Sequence, residues 1–297
     1  MTELFGRVYE LEIGTGTGLV RRFDGFPSAD NTPLNIRFTV DQTPVAERSY
    51  SEITIYGLNR ESRSAIYEQY TTVTLKAGYA SYYGAIFNGS IENVEIGRDG
   101  PDSYVKLFCQ SGAESWEEAR ISKTFGQNTP QKEIIKAVAE TFGFPVEFVG
   151  DFDSLPRALK GRVLDRDSKS AMRQLANSFD FEWFVSNGQM TIVKEGAQRP
   201  AAEPYKYTPA TGLIGSPQIT QKGVDIDVLM NGLIRPFDLY TVESETAALT
   251  FNGIYYQRQD FPKTNGEGTN QALSLVHEGD FYGDTWKTSI EGRRISG

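Results

Sequence analysis

The sequence predicts a mainly β fold with an α+β domain inserted between two β-rich ends. Three observations carry this expectation: short alternating runs bounded by turn residues up to residue 112, two amphipathic helical patterns between 113 and 196, and alternating runs again from 207 to 297. Fifteen Tyr, 18 Phe and 29 Gly suit strands joined by turns.

The first run, "GRVYELEI", leads into "GTGTG", with Gly14, Gly16 and Gly18 spaced like a phosphate-gripping loop. Such a loop must open a helix whose amides hold the phosphate. The following "LVRRFDGFPSADNTPLNIRFTVDQT" has no apolar residues at helical spacing, so the glycines read as a turn between strands. "LNIRFTV" and "SEITIYGL" come next, the latter with Ile53, Ile55 and Gly57 facing one way and Thr54 and Tyr56 the other. "NRESRSAIYEQY" allows one or two helical turns, too short for a parallel crossover, which favours an antiparallel barrel or sandwich. "VTLKAGY", "AIFNGSIENVEI" and "SYVKLFCQS" complete this half, the last two joined by the turn "GRDGPDS".

In "NTPQKEIIKAVAETFGFP", Thr129 is the expected N-cap, Pro130 the first helical residue, and Ile134, Ile135, Val138, Ala139 and Phe142 the buried stripe. "DSKSAMRQLANSF" starts at Asp167 or Ser168 and buries Ala171, Met172, Leu175, Ala176 and Phe179. Asn187-Gly188 in "FEWFVSNGQMTIV" marks a tight hairpin. Prolines at 200, 204 and 209 mark a linker. "SPQITQKGVDIDVLMNGLI", "LYTVESET", "GIYYQRQDF", "LSLVHEGDF" and "TWKTSIEGRRI" return to strands, with "PKTNGEGTNQ" expected to be a mobile loop.

Composition narrows the function. Thirty Lys and Arg against 39 Asp and Glu give a net charge of −9, which argues against a broad grip on phosphate backbones. Cys109 is the single cysteine, expected buried on a strand, so neither an internal disulfide nor a cysteine-cluster zinc site is available. His277 is the single histidine, and "HEGD" lacks the second histidine of a zincin helix, so a structural hydrogen bond at a strand end is its expected role. No GxSxG elbow is present. Asp151 with Asp153, Asp165 with Asp167, and Glu278 with Asp280 read as surface carboxylates, and "DRDSK" lacks the glycine and glutamate of a calcium loop. Arg21-Arg22 and Arg293-Arg294 suit intersubunit salt bridges. Trp116, Trp183 and Trp286 are expected in a core or interface, although exposed ones would stack on sugars. No catalytic residue, cofactor, metal, signal peptide or membrane span is expected.

Taken in order, "EITIYGLNRESRSAI", "VTLKAGY", "IFNGSIENVEI", "TPQKEIIKAVAETFG", "KGRVLDRDSKSAMRQLANSFDFEWFVSNGQMTIV" and "SLVHEGDFYGDTWKTSIEG" resemble the baseplate hub proteins of contractile-tailed bacteriophages. That group includes late control protein D and is related to the hub portion of type VI secretion spikes. The resemblance implies two tail-tube-like antiparallel β-barrels per chain, at 1–112 and 207–297, with an α+β middle domain at 113–196 and a linker at 197–206. It also implies a homotrimeric virion structural protein, not an enzyme, assembled in the host bacterial cytoplasm. The trimer would adapt the sixfold tail tube to the threefold central spike and form part of the DNA channel, with DNA passing through without specific binding. Tail tube protein, central spike protein, tape measure protein and surrounding baseplate proteins are the implied partners. His277, Asp280, Trp286 and Thr288 match a recurrent pattern of the family, read as barrel-forming and subunit-contacting, and Gly14, Gly16 and Gly18 as a loop that a neighbour approaches closely. The alternatives are a carbohydrate-binding component or a cell-wall glycoside hydrolase of the tail tip.

Overall fold

The computed structural model describes residues 6–15, 18, 20–26, 32–44, 48–199, 203–220, 222–244, 248–249 and 268–296. β1 (Arg7–Gly14) turns at Gly18 into β2 (Val20–Asp24), and β3 (Ile36–Gln42) and β4 (Tyr50–Tyr56) follow. Period-two alternation sets their faces: Phe38, Val40, Ile53 and Ile55 are buried, while Arg37, Thr39, Glu52 and Thr54 lie on the other side. α1 (Arg60–Gln69) runs longer than the expected one or two turns, and Asn59 caps it, its Oδ1 accepting the Ser62 N–H at 2.8 Å. β5 (Thr72–Tyr79), β6 (Tyr82–Asp99) and β7 (Asp102–Gln110) complete the first half, the last two joined in the expected "GRDGPDS" turn.

The middle segment contains α2 (Ala113–Glu118), β8 (Arg120–Phe125), α3 (Gln131–Glu140), β9 (Val146–Val149), β10 (Arg162–Asp167), α4 (Ser168–Phe179), β11 (Phe181–Ser186) and β12 (Gln189–Lys194). Pro130, not Thr129, occupies the N-cap of α3, because the Thr129 hydroxyl donates to the Gly126 carbonyl at 2.8 Å. Asp167 caps α4, accepting from the amides of Lys169 at 3.3 Å and Ser170 at 2.8 Å. Replacing Asp167 with alanine is expected to cost about 1 kcal/mol, read from urea unfolding. β8 pairs with β10, and β11, β12 and β9 form a three-stranded sheet. Trp116 and Trp183 stack with ring centroids 5.0 Å apart in the segment's own core, beside Phe142.

β13 (Tyr205–Tyr207), β14 (Leu213–Ile219), β15 (Val224–Leu229), β16 (Leu239–Val242), β17 (Ala248–Leu249), β18 (Thr269–Asp280) and β19 (Trp286–Ser296) complete the chain. In place of two separate closed barrels, the described strands form one large sheet, in the order β17-β14-β15-β19-β18-β3-β4-β7-β6-β5-β1-β2, with β13 and β16 at its side. The reason lies in β18. Its Leu275–Asp280 stretch pairs with β3, while Thr269–Gln271 pairs with β16. The sheet bends around two apolar cores, one including Tyr9, Phe38, Leu107 and Trp286, the other Val224, Tyr240, Leu275 and Ile290. β1 faces the β18–β19 turn across the first core, with Tyr9 edge-on to Phe281 at 4.9 Å and Arg7 Nη1 donating to the Asp280 carbonyl at 3.1 Å.

Within the expected linker, the Arg199 guanidinium is buried between Glu147 at 3.1 Å and Asp238 at 3.5 Å, which ties this stretch to both the middle segment and the large sheet. The strand expected over 253–261 and most of "PKTNGEGTNQ" lie outside the described residues, and Thr269–Gln271 of that stretch open β18.

Candidate functional surface

Period-two alternation runs in phase across β15, β19, β18, β3, β4, β7 and β6, so one side of the sheet carries polar side chains from both halves of the chain. One cross-strand row reads Asp227, Ser289, Val276, Asp41, Tyr50, Gln110. The next reads Lys287, Glu278, Thr39, Glu52, Phe108, and a third Asp280, Arg37, Thr54, Lys106, Glu95. Asp225 and Glu291 extend the same face and line, with Asp227, an open groove of about 460 Å³. Together these positions hold eight carboxylates against three cations.

Each cation is already engaged. Lys287 Nζ lies 2.9 Å from Asp227 and 3.5 Å from Glu278, Arg37 Nε donates to Asp280 Oδ2 at 2.7 Å, and Lys106 pairs with Glu52. The Lys106 bond and a 2.6 Å bond from the Tyr50 hydroxyl hold Glu52 below the usual carboxylate range. Burial and that same bond push Tyr50 up to about 12. Burial pushes Asp225 upward, against the lowering effect of the Gly292 N–H, which donates to it at 3.0 Å. The face is therefore an acid-rich surface with its cations neutralised.

The opposite side of the β18–β19 hairpin holds three of the four residues singled out there. His277 and Thr288 are fully buried, with Nδ1 and Oγ1 2.9 Å apart. Thr288 Oγ1 also accepts the Asn231 N–H at 3.0 Å, and His277 Nε2 has no hydrogen-bond partner. Burial lowers the His277 pKa to about 3, so the ring is neutral. Trp286 donates from Nε1 to the Gly78 carbonyl at 3.0 Å and packs edge-on to Phe38 at 5.3 Å. Gly279 permits this packing, because a Cβ there would sit 2.3 Å from the Phe38 ring. Only Asp280 reaches the polar face, through Arg37. His277, Thr288 and Trp286 are thus held inside the chain's own core, with Asp280 as the half-buried member on the polar face.

Gly14 ends β1, its carbonyl accepting the Thr71 N–H at 2.9 Å, and exposed Gly18 donates its N–H to the Thr15 carbonyl at 3.1 Å. Gly16 lies outside the described residues. All three tryptophans are buried and offer no ring for sugar stacking, while Tyr67 and Tyr282 are exposed. Hydrogen bonds from Ser154 hold Asp151 low, and Asp167 also titrates low because its bonds to Ser170 and Lys169 outweigh burial. Neither is the raised acid a glycosidase needs, whereas Asp225, in the groove beside Asp227, is raised by burial. Cys109 is buried on β7, and burial pushes its thiol up. Among the described residues no group of His, Cys, Asp or Glu is placed to hold a metal, and no helix is long and apolar enough to cross a membrane. Sequence reading missed the paired charges of the face, since their signal is only the ordinary polar half of a strand until register brings them together.

A family model described as baseplate hub gp41 matches residues 27–256. No curated protein matches the chain by sequence. Solved structures with a similar fold include the 43 kDa tail protein of prophage MuSo2 from Shewanella oneidensis, at 10% identity and TM-score 0.60, covering 96% of this chain and 98% of that one. A tail protein from Neisseria meningitidis MC58 aligns at 9% identity and TM-score 0.59, covering 98% and 97%. The E. coli c3393 protein aligns at 8% identity and TM-score 0.57, covering 96% and 77%. That protein is described as a component of the type VI secretion system with structural similarity to the T4 bacteriophage tail proteins gp27 and gp5.

Proposed function

Because this chain belongs to the baseplate hub gp41 family, we propose that it is the structural hub of a contractile phage tail. Three copies form a ring that adapts the sixfold tail tube to the threefold central spike and forms part of the DNA channel. In this reading residues 1–112 and 207–297 are the two tube-like units, 113–196 is the middle domain and 197–206 joins it to the second unit. The observation that carries the reading is the acid-rich face spanning both halves of the chain. Turned toward the channel, it repels DNA and prevents counterion-driven capture, so the duplex slides. The spike, tube and tape measure proteins are the proposed partners, and the Gly14–Gly18 turn and Asp280 are proposed contacts between copies or with the tube.

Mass measurement in solution, alone and with the tube and spike proteins, tests the assembly. A trimer, or a monomer that trimerises with either partner, is expected, and a monomer that ignores both overturns the proposal. Converting exposed Glu95 and Glu291 to lysine tests the channel. Stability should change by less than about 0.5 kcal/mol at Glu291 and fall by about 1 kcal/mol at Glu95, which accepts the Tyr104 hydroxyl at 2.6 Å opposite Lys106, while DNA release from assembled particles slows severalfold at low salt and recovers as salt is raised. Unchanged release kinetics would place the face elsewhere than on the channel.

A further inference from the structure

We propose that the pocket between the β11–β12 hairpin and the loop joining β15 to β16 binds the C-terminus of a partner protein, reading its carboxylate and the backbone N–H of its last residue. The pocket has a volume of about 360 Å³, a size that suits the end of a peptide. Phe184, Ser186 and Asn187 line it from β11 and the hairpin turn, Arg199 from the stretch that leaves the middle segment, and Leu233 and Arg235 from the β15–β16 loop. Leu233 and Arg235 are exposed, so the pocket meets solvent.

Unmet hydrogen bonds give the ligand's chemistry. Three of these lining side chains keep buried polar atoms with no hydrogen-bond partner among the described residues: Arg199 Nε and Nη1, Ser186 Oγ and Asn187 Oδ1. Buried polar groups are otherwise paired, so their gathering at one pocket calls for a partner from outside the chain. The Arg199 side chain is 9% exposed; its Nη2 lies 3.1 Å from Glu147, while Nη1 meets Asp238 at 3.5 Å in an ion pair without a hydrogen bond. Neither carboxylate lines the pocket. Arg235 brings a second guanidinium, its backbone N–H donating to Asp238 Oδ2 at 2.9 Å, and its side chain makes no ion pair among the described residues. Two guanidinium groups and no carboxylate among the described lining residues fit a carboxylate guest. Asn187 narrows the choice. Its Nδ2 donates to the Ala85 carbonyl at 3.1 Å, which leaves Oδ1 as an acceptor that a bare anion would repel. A peptide C-terminus carries the required donor beside its carboxylate, the N–H of its last residue, and Phe184 and Leu233 offer apolar surface to that residue's side chain.

The full chain is titrated by NMR with four probes: the dipeptide N-acetyl-leucyl-leucine, its C-terminal amide, acetate and inorganic phosphate. The dipeptide should bind about tenfold or more tightly than each of the other three, because only it offers a carboxylate with an adjacent N–H. Arg235→Gln, at an exposed side chain, should weaken it by about tenfold, and Ser186→Ala by about threefold. Circular dichroism checks that both variants are folded, and the ranking of probes on the unaltered chain stands without them. Equal binding of the amide means that the carboxylate is not read, and equal or tighter binding of acetate or phosphate reduces the pocket to a site for simple anions. Unchanged affinity in both variants places binding elsewhere, and absence of binding removes the site. Each of these results overturns the proposal, and none bears on the ring, since the probes report on the pocket whatever the oligomeric state.

Discussion

Replacing Trp286 with alanine is expected to lower stability by about 3–5 kcal/mol, the range for deleting a fully packed aromatic side chain. Trp286 comes from the C-terminal hairpin but fills the N-terminal core, against Phe38 at 5.3 Å and Phe281 at 6.0 Å, with the Arg7 guanidinium 5.8 Å over its ring. Three elements distant in sequence lose a common contact when it is removed. Trp286→Phe separates packing from hydrogen bonding: it keeps most of the ring but leaves the Gly78 carbonyl without its indole donor, for an expected cost of about 1–3 kcal/mol. Urea unfolding of both variants checks the order. Alanine should shift the midpoint far more than phenylalanine, and equal shifts would mean that the hydrogen bond, not the packing, dominates. Because one side chain couples the two ends, a single unfolding transition is expected, and separate transitions for the two halves would contradict the coupling.

The coupling also explains what the sequence could reveal. Alternation in "NIRFTV" and "SEITIY" is enough to locate β3 and β4, and in β4 it separates Ile53 and Ile55 from Thr54 and Tyr56, because burial alone enforces that period. α3 and α4 were equally legible through their apolar stripes, and the capping role of Asp167 followed from residue type. β8 and β10 were not, since "RISKTF" and "RVLDRD" each bury little and look like polar loop. The joining of both halves into one sheet was also hidden. It depends on Leu275–Asp280 meeting Arg37–Gln42, a register set across more than two hundred residues that no local pattern encodes. The candidate surface inherits that limit: Arg37 is an ordinary polar strand residue that nothing local ties to Asp280 until pairing places them 2.7 Å apart. The pattern of His277, Asp280, Trp286 and Thr288 is visible in the sequence, but its division between three buried side chains and one half-buried carboxylate on the polar face needs the fold.

His277 should make the protein acid-sensitive well above the range in which carboxylates titrate. Its folded pKa is depressed to about 3 by burial, whereas the unfolded chain binds the proton near the ordinary histidine value of about 6.5. Below that value the unfolded state holds more protons than the native state, so stability falls as pH falls from about 6.5, and the loss is complete only near pH 3. The full contribution is about 4–5 kcal/mol, of which about 2–3 is lost by pH 4.5. Geometry supports the direction: the charged ring must carry a proton on Nε2, which is buried without an acceptor, as well as one on Nδ1 facing Thr288. Asp225 and Asp238 act with the opposite sign, because burial raises both and the native state takes up their protons first as pH falls. Comparing His277→Leu with the unaltered chain cancels those carboxylates. Thr288 keeps the Asn231 N–H as donor and Met230 Sδ at 3.7 Å as acceptor, so the substitution leaves its hydroxyl bonded. The leucine variant should lie within about 1–2 kcal/mol of the unaltered protein at pH 7 and gain on it by about 2–3 kcal/mol at pH 4.5. Parallel stability curves for the two proteins between pH 7 and 4.5 would show that the imidazole gains access to solvent or to an acid in the folded state, and would remove histidine as the origin of acid sensitivity.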